Sequence, residues 1–409
     1  MLSVQLLRDL DQTHELQTRF TRIVVAYSGG VDSHTLLHLA SKYFPNVHAM
    51  HINHGLQADD SAWQAHCMQI CASINVPLQC IQADIKVKPS QSMETAARNA
   101  RRKAWQGVLT ATDLLLLAHH ADDQAETILY RLLRGTGLRG LSGMQQISKL
   151  GAVTLMRPLL HVNKDQIVDY ATVNKLRWIE DHSNTNCSMD RNFLRQQIIP
   201  QLRTRWPAAV DNINRAGSMS KQLLHIIDPH IENTLKTIIS NDSLDLPILR
   251  SHDQFLQHEL LRAWLKQHDL VPSASLLQML MQQVIAARVD AQPQLQIGDK
   301  IIKRSQDKLF ITSAAKATSE EFVAEWDIAQ DLHLPDGRIL TVSQVFKTKD
   351  TLSKIAQQPV SIRMGVWGRK AKKVFQQHSI PPWERASFPL VFVNHRLVNI
   401  VGLWSSPRF

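Results

Sequence analysis

The segment VVAYSGGVDSHTLLHLA (residues 24–40) determines the fold that the sequence predicts for the first half of this chain. An apolar, β-branched run leads into Ser28, Gly29 and Gly30, and a stretch with helical spacing of apolar residues follows at once. Two adjacent glycines let the backbone bend and bring bare N–H groups close to an anion. The start of the following helix adds unpaired N–H donors and a partial positive charge. The segment therefore predicts a strand, an anion-binding loop and a helix in direct succession.

A carboxylate stands within this predicted loop. Ser28 and Ser33 can donate hydroxyl hydrogen bonds to a phosphate, whereas Asp32 repels it unless a divalent cation lies between them. Magnesium would resolve this conflict, so Asp32 is the candidate Mg2+ ligand. The loop lacks both the lysine of the GxxxxGK[ST] Walker loop and the GxGxxG spacing of dinucleotide-binding loops. A chance match without phosphate binding is the alternative, and the order of strand, loop and helix argues against it.

Strands alternate with helices over the first 200 residues. Apolar runs at 23–27, 47–52 and 114–118 predict strands, with a weaker candidate at 76–81, and stretches of helical period lie between them. This alternation is typical of a parallel, doubly wound α/β sheet that binds ligands at the carboxyl ends of its strands. The pattern does not specify the order of the strands.

The pattern changes after about residue 205. Residues 208–290 have almost continuous helical spacing, 297–312 reads as a β-hairpin, and the polar, alanine-rich 313–321 reads as a linker. The chain beyond is rich in strands and turns, and 409 residues are too many for one ordinary core. The predicted domains are an α/β domain, a mainly helical domain and a small basic α+β domain, at 1–207, 208–318 and 319–409.

Positive charge is concentrated at the C-terminal end. Residues 337–409 contain twelve Lys and Arg but only two Asp and Glu, so this segment carries the whole net charge of +10. The first 336 residues therefore balance to zero. Such a distribution indicates an anionic partner, nucleic acid first and an acidic membrane surface second.

Location is constrained by what the sequence lacks. No apolar run approaches the roughly 20 residues that span a bilayer, and the first 20 residues have no signal-peptide core. We therefore expect a cytoplasmic protein without a membrane partner. The four cysteines form no CxxC pair and no zinc-ligand pattern, which predicts reduced and mostly buried thiols.

A second group of candidate residues follows the leucine-rich strand. Asp123 and Glu126 are spaced i, i+3, so they project from one face near the start of a helix. Such a pair can hold magnesium, or can position and deprotonate an amine. The plainer alternative is that carboxylates favour the first turn of any helix. A further alternative is a metal site formed by four neighbouring side chains, His119, His120, Asp122 and Asp123.

Taken in order, these motifs resemble those of the tRNA(Ile)-lysidine synthase family within the ATP pyrophosphatase (PP-loop) superfamily. The resemblance covers nearly the whole chain and is densest over 23–200 and 363–404. One departure is His182, which takes the place of a proline in a turn of that family. The matching segments are SGGVDS (28–33), HINHGL (51–56), ETAARNARR (94–102), HHADDQAET (119–127), RPLL (157–160), EDHSN (180–184), RNFLR (191–195) and GRKAKKVFQQHSIPPWER (368–385).

The resemblance implies a two-step reaction. Enzymes of this family join free L-lysine to the wobble cytidine of an isoleucine tRNA with a CAU anticodon. The C2 oxygen of cytosine attacks the α-phosphorus of ATP, which gives an adenylated base and releases pyrophosphate. The lysine amine then displaces AMP at C2, because AMP is a far better leaving group than a carbonyl oxygen.

The resemblance also implies roles for residues near the predicted sheet. Asp123 and Glu126 would position and deprotonate lysine, whose amine has an unperturbed pKa near 10.4. Arg98 would face the phosphates or the oxyanion, unless it belongs to a solvated charged face. ATP would be bound by the loop, with Asp32 near Mg2+. The ATP-binding residues would be Ser28, Gly29, Gly30, Val31, Asp32 and Ser33.

Two groups of basic residues would contact the RNA. Arg191 and Arg195 would contact its backbone or AMP, with a surface salt bridge as the alternative. In the C-terminal segment, cations can neutralise phosphates and interleaved aromatic rings such as Trp367 and Trp383 can stack on unpaired bases, unless this run is only a solvated face. The candidate residues there are Arg363, Arg369, Lys370, Lys372 and Lys373.

Two other functions stay open on the sequence alone. Another PP-loop tRNA-modifying enzyme, such as a tRNA thiolase, would share the loop, but it usually needs paired reactive or cluster-binding cysteines. A non-enzymatic RNA-binding protein would explain the basic C-terminal segment but not SGGVDS or the acidic pair. The sequence also leaves open whether the protein is a homodimer.

Overall fold

A six-stranded sheet forms the centre of the N-terminal unit, which comprises Met1–Ile226 in this computed structural model. The strands have the order β3-β2-β1-β4-β6-β5. All neighbouring strands are parallel except β5 and β6, which form an antiparallel pair. Their bounds are β1 Arg22–Ala26, β2 Val47–Asn53, β3 Leu78–Gln82, β4 Asp113–Leu116, β5 Ile147–Leu150 and β6 Val153–Met156.

Helices cover both faces of this sheet. Residues of β1 and β4 alternate between the two faces, and both sets are buried, because one core cluster contains Val25 and Leu114 and another contains Val24 and Leu115. The helices are α1 Gln5–His14, α2 Leu16–Arg19, α3 Val31–Tyr43, α4 Asp60–Ser73, α5 Met93–Val108, α6 Ala121–Leu133, α7 Leu138–Leu141, α8 Lys164–Val173, α9 Asp190–Phe193, α10 Ile199–Arg205 and α11 Ala209–Ile238, with a π-helical turn at Leu194–Ile198.

The strand order creates a crevice at the carboxyl ends of β1 and β4. From β1 the chain proceeds to β2 and β3 on one side, then returns to β4 on the other side of β1. In open α/β sheets, ligands bind outside the strand ends at such a reversal of order. The phosphate-binding candidate follows β1 and the acidic pair follows β4, so the topology brings the two candidate groups to the same edge.

The C-terminal unit comprises Ile227–Phe409, and its boundary with the first unit lies within α11. One core packs helices against the sheet β7-β8-β11-β10-β9, and another lies under the sheet β12-β15-β16-β17-β18. The helices are α12 Leu246–Arg250, α13 Gln254–Gln267, α14 Ala274–Met279, α15 Val342–Val345 and α16 Arg369–Gln377, with a π-helical turn at Leu280–Ile285 and a 3-10 turn at Arg385–Ser387. The strands are β7 Ile239–Ser240, β8 Ser243–Asp245, β9 Gln294–Ile297, β10 Lys300–Ser305, β11 Lys308–Ser313, β12 Phe322–Glu325, β13 Leu332–His333, β14 Ile339–Leu340, β15 Val360–Met364, β16 Leu390–Val393, β17 Arg396–Ile400 and β18 Trp404–Ser405.

The predicted fold class is confirmed, and the structure adds elements that the pattern did not reveal. The hairpin predicted at 297–312 is present as antiparallel β10 and β11, with β9 added on one side. The antiparallel β5–β6 pair was not predicted, since each strand has four residues and only a tight turn at Gly151 separates them. The partition into three domains stays a prediction, because the structure divides the chain into two units.

The structure describes residues 2–53, 55, 60–85, 87, 92–180, 190–240, 242–288, 291, 293–313, 321–346, 355, 358–365 and 368–407. Within these ranges, no helix has the length and apolar character needed to cross a bilayer. Most of the predicted linker at 313–321 lies outside them, as do His54, Trp367, Cys187 and the 181–184 part of the turn that contains His182.

Candidate active site

The loop between β1 and α3 is held in a conformation that requires glycine at one position. Gly29 adopts φ +86°, a left-handed conformation that other residues rarely take, and a Cβ there would lie 3.1 Å from the Cys67 Sγ. The Ser33 hydroxyl accepts a hydrogen bond from the Ser28 backbone N–H at 3.1 Å and donates one to the Gly30 carbonyl at 3.0 Å. These contacts fix the loop with its backbone turned toward the crevice at the end of β1.

Three helices begin around one cavity at this edge of the sheet. They are α3 at Val31, α6 at Ala121 and α8 at Lys164, and residues from the first turn of each line the cavity. The free N–H groups and dipoles of helix N-termini attract anions. The cavity has a volume of about 820 Å3, within the roughly 300–1,000 Å3 of small-molecule sites. Its walls include Ser28, Asp32, Arg101, His119, Asp123 and Arg195.

The predicted acidic pair does lie on one face of α6, and an arginine joins its members. Arg195 Nε and Nη2 donate to the two Glu126 carboxylate oxygens at 2.6 and 2.9 Å, and Nη2 also donates to Asp123 Oδ1 at 2.7 Å. Burial raises the pKa of Glu126, and the negative charge of Asp123 adds to this, although Arg195 opposes it. The sequence grouped Arg195 with the RNA contacts, whereas the structure brings it together with the acidic pair. Asp123 and Arg195 line the cavity, and the buried Glu126 does not.

His120 lies between carboxylates of the loop and of α6. Its Nε2 is 3.4 Å from Asp123 Oδ2 and 3.8 Å from Asp32 Oδ1, and its Nδ1 is 3.7 Å from Asp122 Oδ2. Burial disfavours the imidazolium, but these three carboxylates outweigh it and raise the pKa of His120. His120 thus lies between the phosphate loop and the acidic pair, in surroundings that favour its charged form.

The adjacent His119 has the opposite character. Burial lowers its pKa to about 4, and the positive charges of Arg157, Arg98 and Arg101 contribute, with Asp123 acting against them. His119 therefore stays neutral at physiological pH, while the neighbouring ring favours its charged form. The two histidines and Asp122 do not converge on one point with Asp123, since among the described residues no group of three or more His, Cys, Asp or Glu side chains is arranged to hold a metal ion.

Lys164, which no sequence motif singled out, reaches the phosphate loop from the start of α8. Its Nζ lies 2.5 Å from Asp32 Oδ1, although the two residues are 132 positions apart. The backbone N–H of Lys164 donates to Asp122 Oδ2 at 3.0 Å, and Arg203 pairs with the other oxygen of that carboxylate. Asp122 thus anchors the N-terminus of α8, whereas Asp123 faces the cavity.

The arginine selected on α5 is not itself in the cavity wall. Arg101, one turn further along the helix, lines the cavity, and Arg98 does not. Arg98 acts at longer range, since its positive charge contributes to the lowered pKa of His119. Burial lowers the pKa of Arg157 to about 10, and the charge of Arg98 adds to this. The role of Arg98 at the phosphates or the oxyanion therefore stays a prediction.

Arg191, the other arginine selected after α8, lies on α9 beside a tyrosine. Its guanidinium is 5.7 Å from the centre of the Tyr130 ring, and that of Arg134 is 5.2 Å from it. Two cations and an aromatic ring thus form a partly exposed group on the surface of the N-terminal unit.

Four of the five basic residues selected in the C-terminal unit lie on α16, and the fifth lies on β15. The apolar face of α16 buries Ala371, Val374 and Phe375, so the basic residues occupy the rest of its surface. Lys370 is exposed but has intramolecular partners, because its Nζ donates to the Leu397 carbonyl at 3.2 Å and lies 4.8 Å from the centre of the Trp404 ring. The exposed residues are Arg369, Lys370, Lys372 and Lys373, while Arg363 on β15 lies 4.9 Å from the centre of the Phe392 ring.

Three family models match successive parts of the chain. A PP-loop domain matches residues 2–202, a TilS substrate binding domain matches 244–310, and a TilS substrate C-terminal domain matches 358–409. The first match confirms the superfamily that the SGGVDS loop indicated, and a PP-loop domain implies ATP binding.

Curated relatives match over nearly the full length. A tRNA(Ile)-lysidine synthase from Coxiella burnetii is 32% identical over 402 residues, covering 94% of this chain and 89% of the relative. One from Serratia proteamaculans is 35% identical over 426 residues, covering 99% and 94%. Among solved structures, the U34-tRNA thiolase NcsA from Methanococcus maripaludis matches 50% of this chain and 72% of that chain at 19% identity and a TM-score of 0.42, which is too distant to bear on function. On the length and identity of the curated matches, the chain belongs to the tRNA(Ile)-lysidine synthase family.

Proposed function

We propose that this protein joins free L-lysine to C2 of the wobble cytidine of tRNA(Ile) with a CAU anticodon, with ATP converted to AMP and pyrophosphate. The observation that carries the proposal is the shared cavity, which the phosphate loop after β1 and Asp123 of the acidic pair on α6 both line. Glu126, the other member of the pair, is joined to Asp123 through Arg195. A ligase needs both the loop and the pair, since one group handles the nucleotide and the other the amine. The relatives named tRNA(Ile)-lysidine synthase supply the identity of the RNA.

In the first step, the cytosine C2 oxygen attacks the α-phosphorus of ATP. The loop N–H groups and the N-terminus of α3 hold the β- and γ-phosphates, so that pyrophosphate can leave with the electron pair of the broken P–O bond. Asp32 fits a role at Mg2+, because such ions are commonly held by one or two carboxylates together with phosphate oxygens and water. When bound, the ion would neutralise phosphate charge beside that carboxylate.

In the second step, the lysine amine attacks C2 and AMP departs. An ammonium entering beside Asp123 and Glu126 would share their carboxylates with the Arg195 guanidinium. Because burial raises the pKa of Glu126, its carboxylate is a better proton acceptor than that of an exposed glutamate. Glu126 is therefore the residue that takes the proton, and Asp123 helps to position the amine.

The RNA would be held largely by residues 337–409, whose charge of +10 equals the net charge of the whole chain. Arg369, Lys372 and Lys373 on α16 are exposed and suited to phosphate contacts. Arg191 in the N-terminal unit is a further RNA contact in this proposal.

The thiolase alternative is not favoured. The family models and the curated relatives are those of lysidine synthases. Burial also raises the pKa of both Cys67 and Cys71 to about 12, so neither thiol is poised to carry sulfur.

The test is to incubate the protein with labelled lysine, ATP and total tRNA. We expect ATP-dependent label in one isoleucine tRNA, with one AMP and one pyrophosphate released for each lysine incorporated. RNA that gains sulfur from labelled cysteine, or stays unlabelled by lysine while it binds the protein, would contradict the proposal.

A further inference from the structure

An ion pair crosses the cavity between the phosphate loop and the start of α8. Lys164 Nζ lies 2.5 Å from Asp32 Oδ1, and the side chains remain 35% and 31% exposed. Asp32 belongs to the first turn of α3, whose N–H groups face the anion site. The ammonium is therefore within hydrogen-bonding reach of the turn that would hold the phosphates of ATP.

The backbone that presents Lys164 is fixed by several contacts. Lys164 is the first residue of α8, and its N–H is held by Asp122, which is itself paired with Arg203. The preceding Asn163 caps the helix, and its N–H donates to Gln166 Oε1 at 3.0 Å. Only the long side chain of Lys164 is free to move between partners, while its Cα stays in place.

The stability that this ion pair contributes does not explain why Lys164 is placed beside Asp32. Partly exposed pairs contribute little to stability, because water screens them and both side chains lose freedom. A pair of this kind can exchange readily when a stronger anion enters. A pyrophosphate group carries more negative charge than one carboxylate, and lysine binds phosphate as a mobile point charge.

We propose that Lys164 is the phosphate-binding lysine of this loop, supplied by α8 because SGGVDS contains none. It pairs with Asp32 while the loop is empty and binds the β,γ-pyrophosphate of ATP once the nucleotide enters. Resting on the adenylation step proposed above, it is a positioning residue that stays with the departing pyrophosphate and stabilises its charge. Asp32 is released by the same exchange and becomes available to a cation.

The experiment measures binding of the two products separately, in the full-length protein with Mg2+ and without tRNA or lysine. Calorimetry with inorganic pyrophosphate and with α,β-methylene ATP should show Lys164→Met raising both Kd values about ten- to a hundredfold, as for loss of a charged hydrogen bond. AMP lacks the β- and γ-phosphates, so its Kd should change less than about twofold, and Lys164→Arg should recover part of the loss. Lys42→Met, at the far end of α3 where Lys42 bonds Asn174, is the matched control and should bind all three ligands normally.

The double variant Asp32→Asn/Lys164→Met separates the proposal from a structural ion pair. The reference for this variant is Asp32→Asn alone, because Asp32 is itself assigned to Mg2+. If the lysine only neutralises Asp32, Lys164→Met causes no further loss of pyrophosphate affinity in the Asp32→Asn background, whereas a phosphate-binding lysine causes a loss there as well. Unchanged pyrophosphate affinity in Lys164→Met, or equal loss of AMP and pyrophosphate, overturns the proposal. Because no RNA is present, a protein that fails to transfer lysine to tRNA can still give a clear result here.

Discussion

The Glu126 carboxylate is buried and is joined through Arg195 to Asp123, which lines the cavity, and this has a consequence for pH dependence. Its pKa is raised, so the proton-accepting form is lost at a higher pH than for an exposed glutamate near 4.3. Lysine transfer from preformed adenylated tRNA should therefore fall as pH decreases through this raised pKa. Single-turnover rates of lysine transfer measured against pH test this. Glu126→Gln should be slow at every pH, and its rate should not show the fall at low pH. The same fall in the adenylation step would argue against a base specific to lysine.

The acidic pair should separate the two half-reactions. Asp123→Ala and Glu126→Ala should each slow lysine transfer by about a hundredfold or more, the scale of a lost acid–base group. Pyrophosphate release should fall much less, because the phosphate loop is untouched. Rapid-quench assays of adenylated tRNA and of lysidine measure the two steps, and equal losses in both would instead favour a metal or nucleotide role for the pair.

Asp32 should have the complementary effect. Replacement by alanine should nearly abolish ATP-dependent pyrophosphate release, since the loop loses the carboxylate assigned to Mg2+. The affinity for tRNA, measured by filter binding, should stay within a few-fold, because the RNA is held mainly elsewhere. Near-normal pyrophosphate release by this variant would show that the magnesium assignment is wrong.

The sequence analysis identified single residues that belong to local motifs. It missed contacts between residues that are far apart in the sequence. The loop serines, glycines and Asp32, and the pair on α6, are recognisable because a turn or a helix face brings them together over a few positions. Lys164 is 132 positions from its partner, and Arg195 is 69 positions from Glu126. No spacing rule joins such residues before the order of the strands is known.

At the scale of elements, α16 gives a measurable electrostatic prediction. Each lysine or arginine that contacts a phosphate should contribute about one unit or slightly less to the slope of log K against log salt. Alanine at Arg369, Lys372 or Lys373 should lower the slope by about that amount, while ATP affinity stays constant. Lys370 is the comparison on the same helix, because its bond to the Leu397 carbonyl already engages the ammonium.

Contrary outcomes for α16 are equally clear. The quadruple α16 variant has alanine at Arg369, Lys370, Lys372 and Lys373. If its slope of log K against log salt is unchanged, the helix is only a solvated face. The RNA would then have to be held by the first 336 residues, whose charges balance to zero. A large effect of Lys370→Ala alone would mean that RNA displaces its intramolecular bond.

Elements with strong apolar runs were predictable, and short ones were not. β1, β2 and β4 lie within a few residues of the predicted strands, because a strand buried on both faces has a continuous apolar sequence. β3 is an edge strand with no fully buried residue, and it matches the weaker candidate at 76–81. β5 and β6 merge into one apolar stretch around Gly151, and β7 and β8 are hidden in a segment of helical period. Their pairing depends on long-range contacts that no local period encodes.

For the whole molecule, charge and chemistry reside in different parts of the chain. Contacts remote from the reacting atoms hold the substrate equally in the ground and transition states, so their loss affects KM before kcat. The quadruple α16 variant should therefore have a raised KM for tRNA and a turnover at saturating tRNA that falls much less. Steady-state kinetics at two salt concentrations measure this, and a fall in kcat alone would place α16 in the chemical step.

The thiol beneath the phosphate loop makes the site open to a kinetic measurement. Cys67 is fully buried against Gly29, and burial, assisted by Cys71 and Cys80, raises its pKa to about 12. A thiol reagent can therefore modify it only during brief local openings of the loop or of α4. With the other three cysteines replaced by alanine, the alkylation rate would report how often these local openings occur. Pyrophosphate should slow the alkylation in proportion to the occupancy of the loop, so that the alkylation rate of Cys67 reports ligand binding at the nucleotide site.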